Sequence, residues 1–285
     1  MFKEIAIEPA AVASSYRDFA YITEKFGIAE GRLIAAFPSK WKRSVYQAAQ
    51  ARLRGTTDLL RLEVSLRAMS EFAFYSRGRS GEGCAQDWLS AAVNEHQRQP
   101  FDAIIASTPS AAEIVVSVAE LDGQHTCLQP NRQWHIERRA DLMASCCAPL
   151  LASAKHVKFI DPYFDAGHSR FRRPFHEFLK LVRPGVRVDL FRNDGQDTTF
   201  IADRIEAALQ GVLHEGCEVR LFILPEAKMH NRYVLTEAGG VYFLTGLDDK
   251  GHDGVETDEV GLLDPNVWKV QWDRYSGDDP VAIWN

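Results

Sequence analysis

Long hydrophobic runs are missing from this chain of 285 residues. No apolar stretch approaches the roughly 18 to 20 uncharged residues that a membrane span needs, and acids interrupt the opening MFKEIAIEPAAV, where a secretion signal would be apolar. Repeats and low-complexity segments are missing as well. With 46% hydrophobic and 25% charged residues, the composition is that of a folded protein. We therefore expect a cytoplasmic protein of two domains that makes no membrane contact.

Cysteine is scarce and is not arranged for metal binding. The chain has five cysteines and no C-x-x-C pair, so we expect reduced thiols and neither a metal nor a cofactor. The chain also has no overall positive charge. Its net charge is -6, which excludes a protein that binds polyanions over its whole surface. A basic segment nevertheless spans residues 32–79. Its centre is Lys40-Trp41-Lys42-Arg43, where a tryptophan stacks on a base while the cations meet phosphates, or else anchors a helix in the core.

A segment without periodicity, residues 121–134, separates two halves and predicts domains of 1–130 and 131–285. The first half reads as a helix-rich α/β domain, with strands near 5–7, 32–37 and 101–107 and helices near 10–26, 42–53, 57–74 and 85–98. The second half reads as an α/β/α domain with a mixed sheet. Its predicted helices are 137–154, 171–182, 198–213 and 267–275, and its predicted strands are 156–161, 186–192, 217–224, 230–237, 240–246 and 259–264.

The residues that suggest chemistry lie late in the chain. On a strand, His230 and Arg232 share one face, because side chains alternate with period two. A neutral imidazole can attack phosphorus while a fixed cation neutralises the non-bridging oxygens, so the pair suits phosphodiester chemistry. Thr245 and Asp248 could add hydrogen bonds to the same phosphate. Glu259, on the next strand, could hold the histidine tautomer.

Composition alone produces about one His-x-Lys/Arg by chance in such a chain. The sequence contains four, at His96, His156, His168 and His230. Only His230 is followed seven residues later by an acid, Glu237, and then by a hairpin and Glu259. Asp161, at the end of a predicted parallel strand, would border an active-site crevice.

These residues resemble the phospholipase D-like phosphodiesterase superfamily, whose motif reads H-x-K-x4-D-x6-G-S-x-N and is followed by a later glutamate. The resemblance covers roughly residues 136–276, including the strand FIDPYF at 159–164. It implies His230 as nucleophile, Arg232 in the phosphate-binding lysine position, Glu237 in the aspartate position and Glu259 as the acid that orients the histidine. Thr245 fits the serine, and Asp248 fits the asparagine after a slip of one residue.

The family's reaction uses two copies of the motif, and this chain has one. The resemblance therefore implies a homodimer with one histidine from each subunit. The first hypothesis is a metal-independent phosphodiesterase, a nuclease rather than a lipase, in a phage-defence context. The Lys-to-Arg, Asp-to-Glu and Asn-to-Asp departures favour an alternative, a catalytically silent nucleic-acid-binding or assembly subunit of a defence complex. A lipid or small-molecule phosphodiesterase is the third reading.

Overall fold

The computed structural model describes residues 1–122, 125–250, 256–277 and 279–285. The chain divides into two compact units, Phe2–Asn131 and Arg132–Asn285, with Met1 assigned to the second. This division lies beside the boundary expected near residue 130, although residues 123 and 124 of the predicted linker fall outside the described residues. Both units are α/β, and the predicted fold class is confirmed. No helix in the described ranges is long and apolar enough to cross a membrane.

The N-terminal unit is built on a parallel sheet of five strands in the order β3-β2-β1-β4-β5. Its central strands are almost wholly buried, as expected for strands covered on both faces. The strands are β1 Lys3–Ile7, β2 Arg32–Ala35, β3 Phe74–Tyr75, β4 Ala103–Ala106 and β5 Val115–Ser117. The helices are α1 Tyr16–Thr23, α2 Trp41–Leu53, α3 Thr57–Ala68 and α4 Trp88–Arg98.

Alternation along β1 divides the N-terminal core into two layers. Ile5 and Ile7 face a cluster that contains Trp41, whereas Ala6 faces a cluster that contains Trp88. The predicted helices at 10–26 and 57–74 prove shorter than expected. Ser15 begins α1 by accepting the Asp18 N–H, because its side chain satisfies a donor that the helix leaves unpaired.

The C-terminal unit is built on a mixed sheet of eight strands in the order β13-β9-β8-β7-β10-β11-β12-β6. β7, β8 and β9 are parallel, and the other strands pair antiparallel to their neighbours. The strands are β6 Gln133–Glu137, β7 His156–Ile160, β8 Arg187–Asn193, β9 Glu218–Leu224, β10 Tyr233–Thr236, β11 Gly239–Phe243, β12 Thr257–Leu262 and β13 Ala282–Trp284. The helices are α5 Ala140–Ser153, α6 Ser169–Leu181, α7 Thr198–Leu209 and α8 Pro265–Arg274.

Two strands of this unit were not expected from the sequence. β6 occupies residues assigned to the linker and to the start of a helix, and its side chains alternate between exposed and buried. β13 is a strand of three residues at the sheet edge, too short to give a pattern. The predicted strand 230–237 is also wrong at its beginning, because β10 starts at Tyr233 and leaves residues 230–232 in the connection before it.

Candidate active site

The register of the C-terminal sheet brings several strand ends to one edge. Ile160 at the end of β7 pairs with Tyr233 at the start of β10. Phe243 at the end of β11 pairs with Val260, and Thr257 at the start of β12 pairs with Glu137 at the end of β6. The segments after β7 and β11 and before β10 and β12 therefore meet at the edge that also holds the carboxyl ends of β8 and β9. We name it the carboxyl edge.

Asp161 is a buried acid of the carboxyl edge. It follows β7 and accepts hydrogen bonds from the backbone N–H groups of Tyr163 at 2.9 Å and Leu247 at 2.8 Å. Burial raises the pKa of Asp161, while these two N–H groups and the charge of Arg232 act in the opposite direction. Asp161 thus joins the β7 connection to the segment after β11, and its position beside a crevice stays a prediction.

The segment 244–249 crosses the carboxyl edge and is held by side chains. Thr245 donates through its N–H at 3.0 Å and its hydroxyl at 2.9 Å to Asp258, and Asp248 accepts from Arg138. A Cβ on Gly246 would stand 2.6 Å from the Asp248 carboxylate, so the close approach requires glycine. Thr245 and Asp248 both lie at the carboxyl edge, where the side chain of Thr245 contacts Asp258 and that of Asp248 contacts Arg138.

His230 and Arg232 lie in the connection before β10. The His230 imidazole is exposed, and its Nε2 lies 3.1 Å from the Ala227 carbonyl oxygen. Arg232 donates to the His230 carbonyl at 3.1 Å and stands 5.5 Å from the Tyr163 ring centre. Its Nε is buried and finds no hydrogen-bond partner among the described residues. The prediction that both side chains project from one strand face is wrong, although both residues do reach the carboxyl edge.

Glu259 does not contact His230, which corrects its predicted role. Its carboxylate lies 2.7 Å from Nδ1 of His135, the residue opposite it on β6. Both side chains are more than half exposed. Sequence reasoning missed His135 because β6 was not recognised. The alternation Gln-Trp-His-Ile-Glu over 133–137 was the available signal.

Glu237 lies away from the carboxyl edge, which corrects its predicted supporting role. It follows β10 in the hairpin turn, and its two carboxylate oxygens accept the backbone N–H groups of Lys155 at 2.7 Å and His156 at 3.2 Å. A strand advances about 3.3 Å per residue, so β10 separates Glu237 from Arg232 by roughly 16 Å. Glu237 fixes the hairpin to the start of β7.

Two arginines of the carboxyl edge were missed from the sequence. Arg138 directly follows β6, is buried, and donates to the Asp248 carbonyl at 2.9 Å. Arg192 is buried near the end of β8 and donates to the Asn193 carbonyl and to Gln196, both at 3.1 Å. Burial lowers the pKa of the Arg192 guanidinium. Their signal was their position at strand ends, which only the strand order turns into proximity.

The predicted nucleic-acid residues of the N-terminal unit divide into two groups. Trp41 is buried and donates from Nε1 to the Ile7 carbonyl at 2.7 Å, so the prediction that it stacks on a base is wrong. Lys42 donates to the Met69 carbonyl and to Glu71, both at 2.6 Å. Lys40 and Arg43 are exposed and form no ion pair with a described residue. The alternative reading of Trp41 as a helix anchor is the one observed.

Within the described part of the chain, there is no group of three or more His, Cys, Asp or Glu side chains that could hold a metal ion. The metal-independent mechanism stays a prediction.

No family model and no curated protein matches the sequence. Among solved structures, the chain is similar to TrmBL2, an archaeal chromatin protein whose structure shows a novel mode of DNA binding. The sequence identity is 10%, the match covers 91% of this chain and 77% of that chain, and the TM-score is 0.29. A similarity this low supports no statement about function.

Proposed function

We propose that the C-terminal unit is a phospholipase D-like phosphodiesterase that acts on nucleic acid through His230. The observation that supports this most directly is the carboxyl edge itself. The His230 imidazole is exposed there, and the Arg232 guanidinium donates to the His230 backbone carbonyl and acts through its charge on the buried Asp161. Imidazole and guanidinium are the groups that attack on phosphorus and neutralisation of its oxygens require.

The contact of His230 suggests which nitrogen attacks. An imidazole that donates Nε2–H to the Ala227 carbonyl keeps its proton there and leaves the Nδ1 lone pair free. In the proposed reaction Nδ1 forms a bond to phosphorus, the bond to the leaving oxygen breaks, and the partner's His230, in its protonated form, gives that oxygen a proton. Water then attacks phosphorus, loses a proton to the now neutral imidazole of the partner's His230, and breaks the bond from phosphorus to Nδ1, which releases the attacking imidazole. Arg232 balances the charge that builds on the non-bridging oxygens.

A second candidate function is a subunit that keeps the fold and binds nucleic acid or assembles with defence proteins without catalysis. One specific observation favours it. Glu259 is engaged by His135 and Asp248 by Arg138, so two of the residues assigned to the site already have protein partners. The phage-defence setting and the preference for nucleic acid over lipid belong to both proposals. The basic segment of the N-terminal unit supports that preference.

Hydrolysis of bis(p-nitrophenyl) phosphate is expected to continue in excess chelator, because the proposed nucleophile is a side chain and not metal-bound water. Release of p-nitrophenol, followed at neutral pH with and without EDTA, measures this. Labelled DNA and RNA serve as parallel substrates. Activity that requires an added divalent ion would reject the mechanism, and binding without any hydrolysis would favour the silent subunit.

The protein is expected to form a homodimer through its C-terminal unit, since one motif supplies one of the two histidines that the reaction uses. Sedimentation at micromolar concentration measures the mass. Mixed dimers that contain one His230→Ala subunit are expected to be largely inactive, because either attack or leaving-group protonation then fails. A fully active monomer would contradict the two-histidine mechanism.

A further inference from the structure

The solvent face of α2 holds a straight row of hydrogen-bond donors. We name this row the α2 stripe, formed by Arg43, Gln47, Gln50 and Arg54. The first three belong to the helix, Arg54 directly follows it, and all four are exposed, whereas the opposite face is buried. Positions spaced by four, three and four residues lie above one another on a helix. The stripe is about 16 Å long, because a helix rises about 1.5 Å per residue.

Positive charge in the α2 stripe is not neutralised by its surroundings. α2 contains no Asp or Glu, in a chain whose net charge is -6. The first two acids that follow α2 along the chain are occupied: Asp58 accepts the Tyr16 N–H at 3.3 Å, and Glu63 pairs with Arg67. Neither arginine of the stripe forms an ion pair with a described residue.

The turn after α2 keeps the end of the stripe open. Gly55 has φ +80°, a left-handed conformation that glycine adopts without strain, and a Cβ there would meet nothing within 4 Å. Lys40 directly precedes α2, Arg61 lies on α3, and both are exposed. Exposed basic residues therefore precede and follow α2 along the chain.

We propose that the α2 stripe binds duplex DNA, with α2 in the major groove. That groove is about 12 Å wide and admits a helix; glutamine reads adenine edges there, and the two arginines at the ends of the stripe contact phosphates. A stripe of this length spans roughly five base pairs. The major groove of duplex RNA is too narrow for a helix, so DNA is the occupant that the helix geometry favours. The proposal needs no hydrolysis and stands apart from His230.

Fluorescence anisotropy of a labelled duplex, titrated at several salt concentrations, tests the proposal. Arg43→Ala/Arg54→Ala is expected to flatten the log-log salt dependence by about 1.8, since each phosphate contact contributes about 0.9 on duplex DNA. Arg43→Lys/Arg54→Lys keeps both charges and is expected to keep that slope. Gln47→Ala/Gln50→Ala is expected to weaken affinity roughly tenfold without changing the slope, because base-edge contacts release no counterions.

Arg67→Ala/Arg98→Ala is the matched control. It removes two exposed arginines of the same unit that pair with Glu63 and Glu95, and it is expected to leave affinity unchanged. Far-ultraviolet circular dichroism establishes that every variant is folded. Unchanged binding by the folded stripe variants would overturn the proposal. Equal wild-type affinity for duplex RNA or single strands, or no binding at low salt, would overturn it as well.

Discussion

His230→Ala is expected to lower phosphodiester hydrolysis by roughly 10⁴-fold or more, because no other group in the proposed site can form the covalent bond to phosphorus. The loss should appear in kcat with bis(p-nitrophenyl) phosphate as substrate. Nucleic-acid affinity is expected to remain, since the α2 stripe belongs to the other unit. Far-ultraviolet circular dichroism of the variant distinguishes a lost nucleophile from a misfolded C-terminal unit.

His168→Ala is the control for this variant. His168 begins the same His-x-Arg pattern, is exposed, and directly precedes α6, yet it has no assigned chemical role. Its replacement is expected to change the rate by less than about twofold. A rate that survives His230→Ala and falls with His135→Ala would instead assign the chemistry to the His135–Glu259 pair.

Asp189→Asn is expected to lower the free energy of unfolding by about 3 kcal/mol. Asp189 is almost fully buried on β8 and accepts His156 Nε2 at 2.8 Å and both Nε and Nη2 of Arg187 at 2.9 and 2.8 Å. Nε of Arg220 lies 3.6 Å from Oδ1 of Asp189. An amide leaves Arg187 and Arg220 without their counter-charge. The expected loss of unfolding free energy is at the lower end of the range for breaking a buried ion pair, because Arg187 is partly exposed.

The cost of Asp189→Asn is expected to depend on pH. Burial by itself raises the pKa of Asp189, but hydrogen bonds and charges from His156 and Arg187 outweigh it and hold that pKa below its ordinary value. A carboxylate with a lowered folded-state pKa stabilises the fold above about pH 3.8 and loses that contribution as pH falls through the folded value. The difference in unfolding free energy between the wild type and Asp189→Asn should therefore become smaller in acid.

Urea unfolding of the wild type and of Asp189→Asn, at neutral pH and near pH 3, measures the difference in their unfolding free energies at each pH. Asp203→Asn, which alters an exposed acid on α7, is the control and should change stability by less than about 0.5 kcal/mol. A difference in unfolding free energy that does not vary with pH would show that the charge of Asp189 is not what stabilises the sheet. No loss at neutral pH would show that Arg187 and Arg220 are solvated without it.

Apolar runs made the central strands and most helices predictable. β7, β8 and β9 appear in the sequence as HVKFI, RVDLFRN and EVRLFIL, and burial on both faces is the physical reason for such runs. β6 was missed because an edge strand exposes every second residue and carries Gln, His and Glu there. Its pattern could not be told from a linker without its partner β12.

Residue contacts at the candidate site depended on register. Glu259 meets His135 across 124 positions of sequence, a pairing decided by the antiparallel alignment of β12 with β6. Glu237 points to the start of β7 because β10 runs away from the carboxyl edge. Trp41 is buried since its place in the first turn of α2 directs it onto β1.

The sequence by itself determined the α/β class, the order of most elements and the late segment where His230 and Arg232 stand, because helix and strand periods and apolar runs are local properties of the chain. Tertiary structure decided which acids meet which cations. Strand order and register are set by the packing of whole layers, and a shift of a single residue would exchange every partner across a sheet.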